Sequence, residues 1–158
     1  MQIRVLAVGK CTDSYYRDGC EDYLKRLNRL IKTELVEVAD EKAPESLSAA
    51  QQKQVMAKEG EKLKKQLRPG KTVALVIGGT MPNSLSFAEK LRTWEDSGVS
   101  SAQFIIGGSL GLDETLISQA DETLSLSRFT MPHSLARLVL LEQLYRAMKI
   151  NRNQTYHK

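Results

Sequence analysis

Histidine and cysteine are both scarce in this chain, with two of each in 158 residues. Cys11 and Cys20 are nine positions apart, and no cluster of His or Cys completes a ligand set around them. That excludes a zinc site, a disulfide framework and a CxxC redox pair, and leaves two free thiols with no metal expected. Long apolar runs are missing too. The longest, VALVI and LVLL, fall far short of the roughly 20 residues that a membrane-spanning helix requires. Arg4 interrupts the first apolar segment and a charged helical stretch follows, so no secretory leader is expected and the cytoplasm is the expected compartment. The glycines that would cradle a dinucleotide are absent. After the first apolar segment the chain reads VGKCTD rather than GxGxxG, GGSLGL spaces its glycines differently, and no GK[ST] occurs. Glu37 or Asp40 could stand in for a ribose-binding acid, but without those glycines the signal is weak.

What is present is an ordinary globular composition, 41% hydrophobic and 27% charged, in a length that suits one domain over residues 1–158. The formal charge of +4 leans towards anionic partners without requiring them. Lysines concentrate between Lys53 and Lys71 with Glu59 and Glu61 interleaved, a pattern of either a solvated helix face or a phosphate-contacting stripe.

Periodicity orders the rest. Strands are expected at 2–8, 33–38, 72–77, 102–106 and 123–127. Helical spacing links Tyr16, Cys20, Tyr23, Leu24 and Leu27, and further helices are expected at 47–67, from Ser84 to about Asp96 with Asn83 as cap, from Asp113 to Ala120, and from Pro132 to about Ile150. The only long loop is 39–48. Strict alternation of strand and helix predicts an α/β domain, a parallel sheet with helices on both faces. Ligands of such sheets bind beyond the carboxyl ends of the strands. There the chain carries IGGTMPNS, IGGSLGLD and LSLSRFTMPH. Paired glycines at 78–79 and 107–108 allow close backbone approach, although tight turns alone would also explain them. In the third stretch Leu126 to Met131 alternate apolar side chains with hydroxyls, leaving backbone amides free to read the edge of a flat heteroaromatic such as adenine.

The last helix places Pro132 at its first position, with Ser127 or Thr130 as cap. It is apolar on two sides, Leu135 and Val139 on one and Leu140, Leu141, Leu144 and Met148 on the other, which predicts a homodimer built on it. His133 and Arg137 fall one turn apart beside the candidate ligand loop. Arg146, Lys149 and Arg152 lead into a tail with Tyr156 and His157, suited to phosphate contacts and base stacking or simply a frayed basic end.

The stretches AVGK, DYLKRL, DEKAPE, FIIGGSLGL, LSLSRFTMPHSLARLVLLEQLYRAMKI and YHK, spread along the whole chain, resemble the ribosomal RNA large subunit methyltransferase H family, a single-domain branch of the SPOUT methyltransferases. The resemblance implies a SPOUT (α/β knot) fold with a C-terminal trefoil knot, a homodimer, and bent S-adenosylmethionine held by Leu75, Gly107, Leu126, Ser127, Arg128, Phe129, Thr130 and Met131. It also implies methylation of N3 of a pseudouridine in a stem-loop of 23S rRNA, within assembled ribosomes. For that reaction His133 is the candidate base and Arg137 the candidate stabiliser of the imidate anion. Tyr145, Arg146, Arg152, Tyr156 and His157 are the candidate RNA contacts. A non-catalytic ribosome-binding factor would share the basic tail and need no cofactor loop.

Overall fold

A computed structural model describes residues 1–42 and 44–158. Five strands alternate with five helices: β1 (Gln2–Val8), α1 (Ser14–Asn28), β2 (Thr33–Val38), α2 (Ala49–Lys64), β3 (Lys71–Thr80), α3 (Ser84–Asp96), β4 (Ser101–Ile106), α4 (Glu114–Gln119), β5 (Glu122–Leu124) and α5 (His133–Asn151). All paired strands are parallel, in the order β2-β1-β4-β3-β5. The two central strands are buried nearly throughout, as strands covered on both faces must be. Alternate residues feed two cores. Ile3, Val5, Ala7 and Phe104 pack with Leu140, Leu141 and Leu144 of α5 and with residues of α1 and α3. Leu6, Val8, Ala74 and Ile105 pack with Leu63 of α2 and Leu116 of α4 on the opposite face. The α/β architecture with helices on both faces is therefore as expected.

Local chemistry fixes the element ends. Ser48 and Gln51 form a reciprocal capping box at the start of α2, and the Asn83 side chain accepts from Ser86 N at 2.8 Å at the start of α3. Asp113 holds the cap position of α4 without a side-chain bond. The helix expected over 47–67 is shorter, because the chain tightens after Lys64 into turns that bond Gln66 N to Leu63 O and Leu67 N to Lys64 O. Of the expected long loop, Ala43 lies outside the described residues.

Two expectations near the C-terminus need correction. β5 ends at Leu124 rather than Ser127, while β3 runs on to Thr80 through a register shift. Beyond Leu124 the serines bond locally: Ser125 Oγ donates to Ser127 O, and Ser127 Oγ accepts from Phe129 N, both at 3.0 Å. Such bonds compete with the ladder and turn the chain out of the sheet. Ser127 is therefore no helix cap. Pro132 takes the cap position, with extended ψ of 142°, and α5 begins at His133 with no side-chain cap.

The opposite edge of the sheet holds a buried cation. Arg4 is 1% exposed on β1, and its guanidinium pairs with Glu34 and donates to Gln66 O and Gln103 Oε1 at 2.5 and 2.8 Å. Truncation would strand all three acceptors. Arg4→Ala should therefore cost about 3–5 kcal/mol in urea unfolding. Arg26→Ala, which breaks only the exposed pair with Asp22 at 2.9 Å, should leave the midpoint nearly unchanged.

Candidate active site

The three strand ends singled out above converge on one cavity of about 420 Å³. Leu75, Val76 and Ile77 of β3 form one wall, Ile106 to Leu112 a second, and Leu124 to Ser127 with Phe129 to Met131 a third, while His133 and Ala136 come from α5. Close backbone passages make this possible. A Cβ on Gly79 would lie 2.8 Å from the backbone of Leu124, and one on Gly107 would lie 2.5 Å from that of Gly111. The loop after β4 thus folds back under its own strand, and the segment after β5 lies directly on the end of β3.

The walls are apolar, and the polar groups that face a ligand are backbone. Among the described residues, the amides of Leu126, Ser127, Arg128, Thr130 and Met131 donate no hydrogen bond, whereas Ser125 N is held by Thr80 O and Phe129 N by Ser127 Oγ. Free amides between apolar walls are the donor set that a flat, neutral heterocycle needs. Of the eight residues named for cofactor contact, seven line this cavity; Arg128 is exposed and does not. Phe129 is 84% exposed at the rim. The serine and both glycines of the Gly107–Gly111 turn, together with Leu110 and Ala136, join the lining without having been named. Only the glycine spacing signalled them.

His133 also lines the cavity, half-buried, with Nδ1 shielded from solvent and without a partner among the described residues. Burial, and secondarily the charge of Arg137, push its pKa below the ordinary value of 6.5, against a weaker opposing pull from Asp40. The imidazole is therefore neutral at neutral pH.

Arg137 is placed differently from the sequence expectation. It is fully buried and absent from the cavity lining. Its guanidinium pairs with Glu37 Oε2 at 2.6 Å and donates to Val8 O at 2.9 Å and Gly9 O at 2.8 Å. Glu37, considered above as a ribose-binding acid, is its counter-ion and also accepts from Cys11 N at 3.2 Å. The pair anchors the first turns of α5 to the carboxyl ends of β1 and β2.

The proposed RNA contacts stand at the other end of α5, about 27 Å away by helical rise. There the tail folds back. Tyr156 donates to Glu142 Oε1 at 3.1 Å, packs edge-on to Tyr145, and lies under the Arg146 guanidinium, which also pairs with Glu142. Burial first, then these hydrogen bonds, raise the Tyr156 pKa. Arg152 pairs with Glu95 at 3.3 Å. His157 is exposed, with Nδ1 3.3 Å from Arg146. These residues form one cluster that does not meet the cavity of its own chain.

Comparison with known proteins agrees with this geometry. Residues 1–157 match a family model described as "Predicted SPOUT methyltransferase". The chain is 49% identical to the ribosomal RNA large subunit methyltransferase H of Ruminiclostridium cellulolyticum and 47% identical to that of Bifidobacterium animalis, covering 100% of both chains in each case. Among solved structures, a probable methylase family protein from Haemophilus influenzae superposes with a TM-score of 0.54 at 15% identity, covering 99% of this chain and 70% of that one. A probable methyltransferase from Bordetella pertussis gives 0.56 at 15% identity, covering 93% and 96%.

Arg137→Lys should lower stability by about 2–5 kcal/mol in urea unfolding, because one ammonium cannot serve a carboxylate and two carbonyls in fork geometry. His133 should titrate by NMR below 6.5. Since the unfolded chain binds that proton at higher pH than the folded one, stability falls as pH drops through the unfolded value, and His133→Gln should remove this part of the slope.

Proposed function

Because the chain belongs to the ribosomal RNA large subunit methyltransferase H family of SPOUT methyltransferases, we propose that it methylates N3 of a pseudouridine in 23S rRNA of assembled ribosomes, using S-adenosylmethionine and acting as a homodimer. The observation that carries the reading is the apolar cavity walled by the free amides of Leu126 to Met131. Leu75, Gly107, Leu126, Ser127, Phe129, Thr130 and Met131 would hold the adenosyl group there, with Arg128 contributing through its backbone. When bound, the cofactor supplies an activated methyl group on a sulfonium.

The chain must supply alignment and a destination for the imide proton of N3. His133 takes that proton. It is neutral, at the cavity wall, and begins the helix whose position the Arg137–Glu37 pair fixes. Arg137 acts in this reading as a positioning residue, since its enclosed guanidinium has no open face to offer an imidate. Exposed Ile77, Met81, Leu85 and Phe129, together with half-exposed Leu135 and Val139, favour a second copy as the cover of this face. A partner running antiparallel would bring its Tyr145, Arg146, Arg152, Tyr156 and His157 towards the cavity as RNA contacts. The same reading has the segment after β5 threaded as a trefoil knot.

The test uses ribosomes from cells lacking this protein, labelled S-adenosylmethionine, and mass spectrometry of the rRNA. One methyl on N3 of a 23S pseudouridine is expected, with far less transfer to a naked stem-loop. His133→Ala should reduce transfer about 10²–10⁴-fold with cofactor affinity nearly intact. Ribosome binding without methyl transfer would instead favour the non-catalytic factor.

A further inference from the structure

A second cavity, of about 650 Å³, shares Gly108, Ser109 and His133 with the first and opens along the carboxyl ends of β1 and β2. Its lining is acidic. Two of the carboxylates already have cationic partners, Glu37 in Arg137 and Glu41 in Lys62 at 2.8 Å. Asp40 and Glu59 do not, among the described residues. Glu59 is the unusual one: it reaches in from α2, is 4% exposed, and accepts a single hydrogen bond, from Glu41 N to Oε2 at 3.0 Å. Its Oε1 has no hydrogen-bond partner among the described residues and lies against Gly108, where a Cβ would come within 3.1 Å. A buried carboxylate with one bond is costly to keep unless a donor joins it. Burial raises its pKa, and Asp40 adds to that rise.

The charge of this cavity selects the donor. Carboxylates repel phosphate, so the RNA backbone is a poor occupant. Lys10, exposed on the same lining, offers a cation close to the acids. An acid pair with a nearby cation suits a zwitterion, and the cavity joins the adenosyl cavity through Gly108, Ser109 and His133. We propose that this second cavity is the aminocarboxylate subsite of the cofactor, with Glu59 and Asp40 receiving the α-ammonium group and Lys10 the carboxylate. The proposal rests on the cofactor reading above and adds the residues that recognise the amino-acid end.

Calorimetric titration of the full-length protein with S-adenosylmethionine, S-adenosylhomocysteine and 5′-methylthioadenosine tests it, since the last ligand lacks the aminocarboxylate. Glu59→Gln and Asp40→Asn should each weaken the first two ligands about tenfold, a loss on the order of one charged hydrogen bond, and leave methylthioadenosine within about twofold. Glu59→Gln should melt no lower than the wild type at neutral pH, because it removes a buried charge while keeping an acceptor for Glu41 N. Equal loss for all three ligands would mean that Glu59 merely shapes the adenosyl cavity, and would overturn the proposal. Unchanged affinity for all three would overturn it as well, and a simultaneous fall in methyl transfer would then assign the cavity to the target nucleotide. Wild-type protein that binds none of the three would defeat the cofactor reading itself, an outcome distinct from either.

Discussion

The guanidinium of Arg137 is the point on which the arrangement of the site depends. Helix α5 carries His133 at one end and the tail cluster at the other, and its apolar face alone would hold it against the sheet without fixing its axial position. Hydrophobic burial is non-directional. The fork from Arg137 to Glu37, Val8 O and Gly9 O is directional, and it locks the first turns of the helix to the ends of two neighbouring strands. A buried charge of this kind adds little net stability over an apolar replacement, but its geometry admits one placement of the helix. The same charge lowers the pKa of His133 one turn away, so one residue sets both where the imidazole stands and which protonation state it holds.

The ligand cavity follows a different logic. Most of its polar surface is main chain, exposed where β5 stops early and where the loop after β4 doubles back. Backbone amides have no rotamers to order, so a loop held at both ends presents them ready for a ligand. Holding such a loop requires neighbouring backbones to touch, which explains why Gly79 and Gly107 stand where any Cβ would collide. The serines that look like strand or cap residues are the ones that turn the chain: Ser125 and Ser127 each close a local bond.

The layers and the cavity were legible in the sequence for the same reason. Alternation in β1 and β4 reports two covered faces, and glycines clustered at successive strand ends report close backbone passage. The early end of β5 was not legible, because Leu124 to Ser127 keep the two-residue period of a strand while their hydroxyls bond within the loop. Nor was the burial of Arg137. At the sequence level it is a polar residue one turn from a histidine, and only the sheet order, which brings the ends of β1 and β2 together, reveals three acceptors waiting for it. The resemblance to a known family named the right cavity walls without separating Arg128, whose side chain turns to solvent, from its neighbours. Tail residues chosen for charge and aromaticity turned out to bond chiefly with one another, since Glu142 sits within reach of both Arg146 and Tyr156.

Charge is divided along the mouth of the sheet in a way that bears on how one small domain handles two unlike ligands. The net charge of +4 favours approach to RNA, yet the cavity at the ends of β1 and β2 is lined by acids and excludes phosphate from that position. His133 lies between this acidic cavity and the apolar one, neutral because desolvation and Arg137 outweigh the pull of Asp40. A protonated imidazole there would be stabilised by the acids and lost as a base. Arg137 prevents this twice over, through its own charge and by engaging Glu37, the acid closest to it. The basic groups remain on the far end of α5 and the tail, where they can draw an anionic partner without disturbing the proton balance at His133.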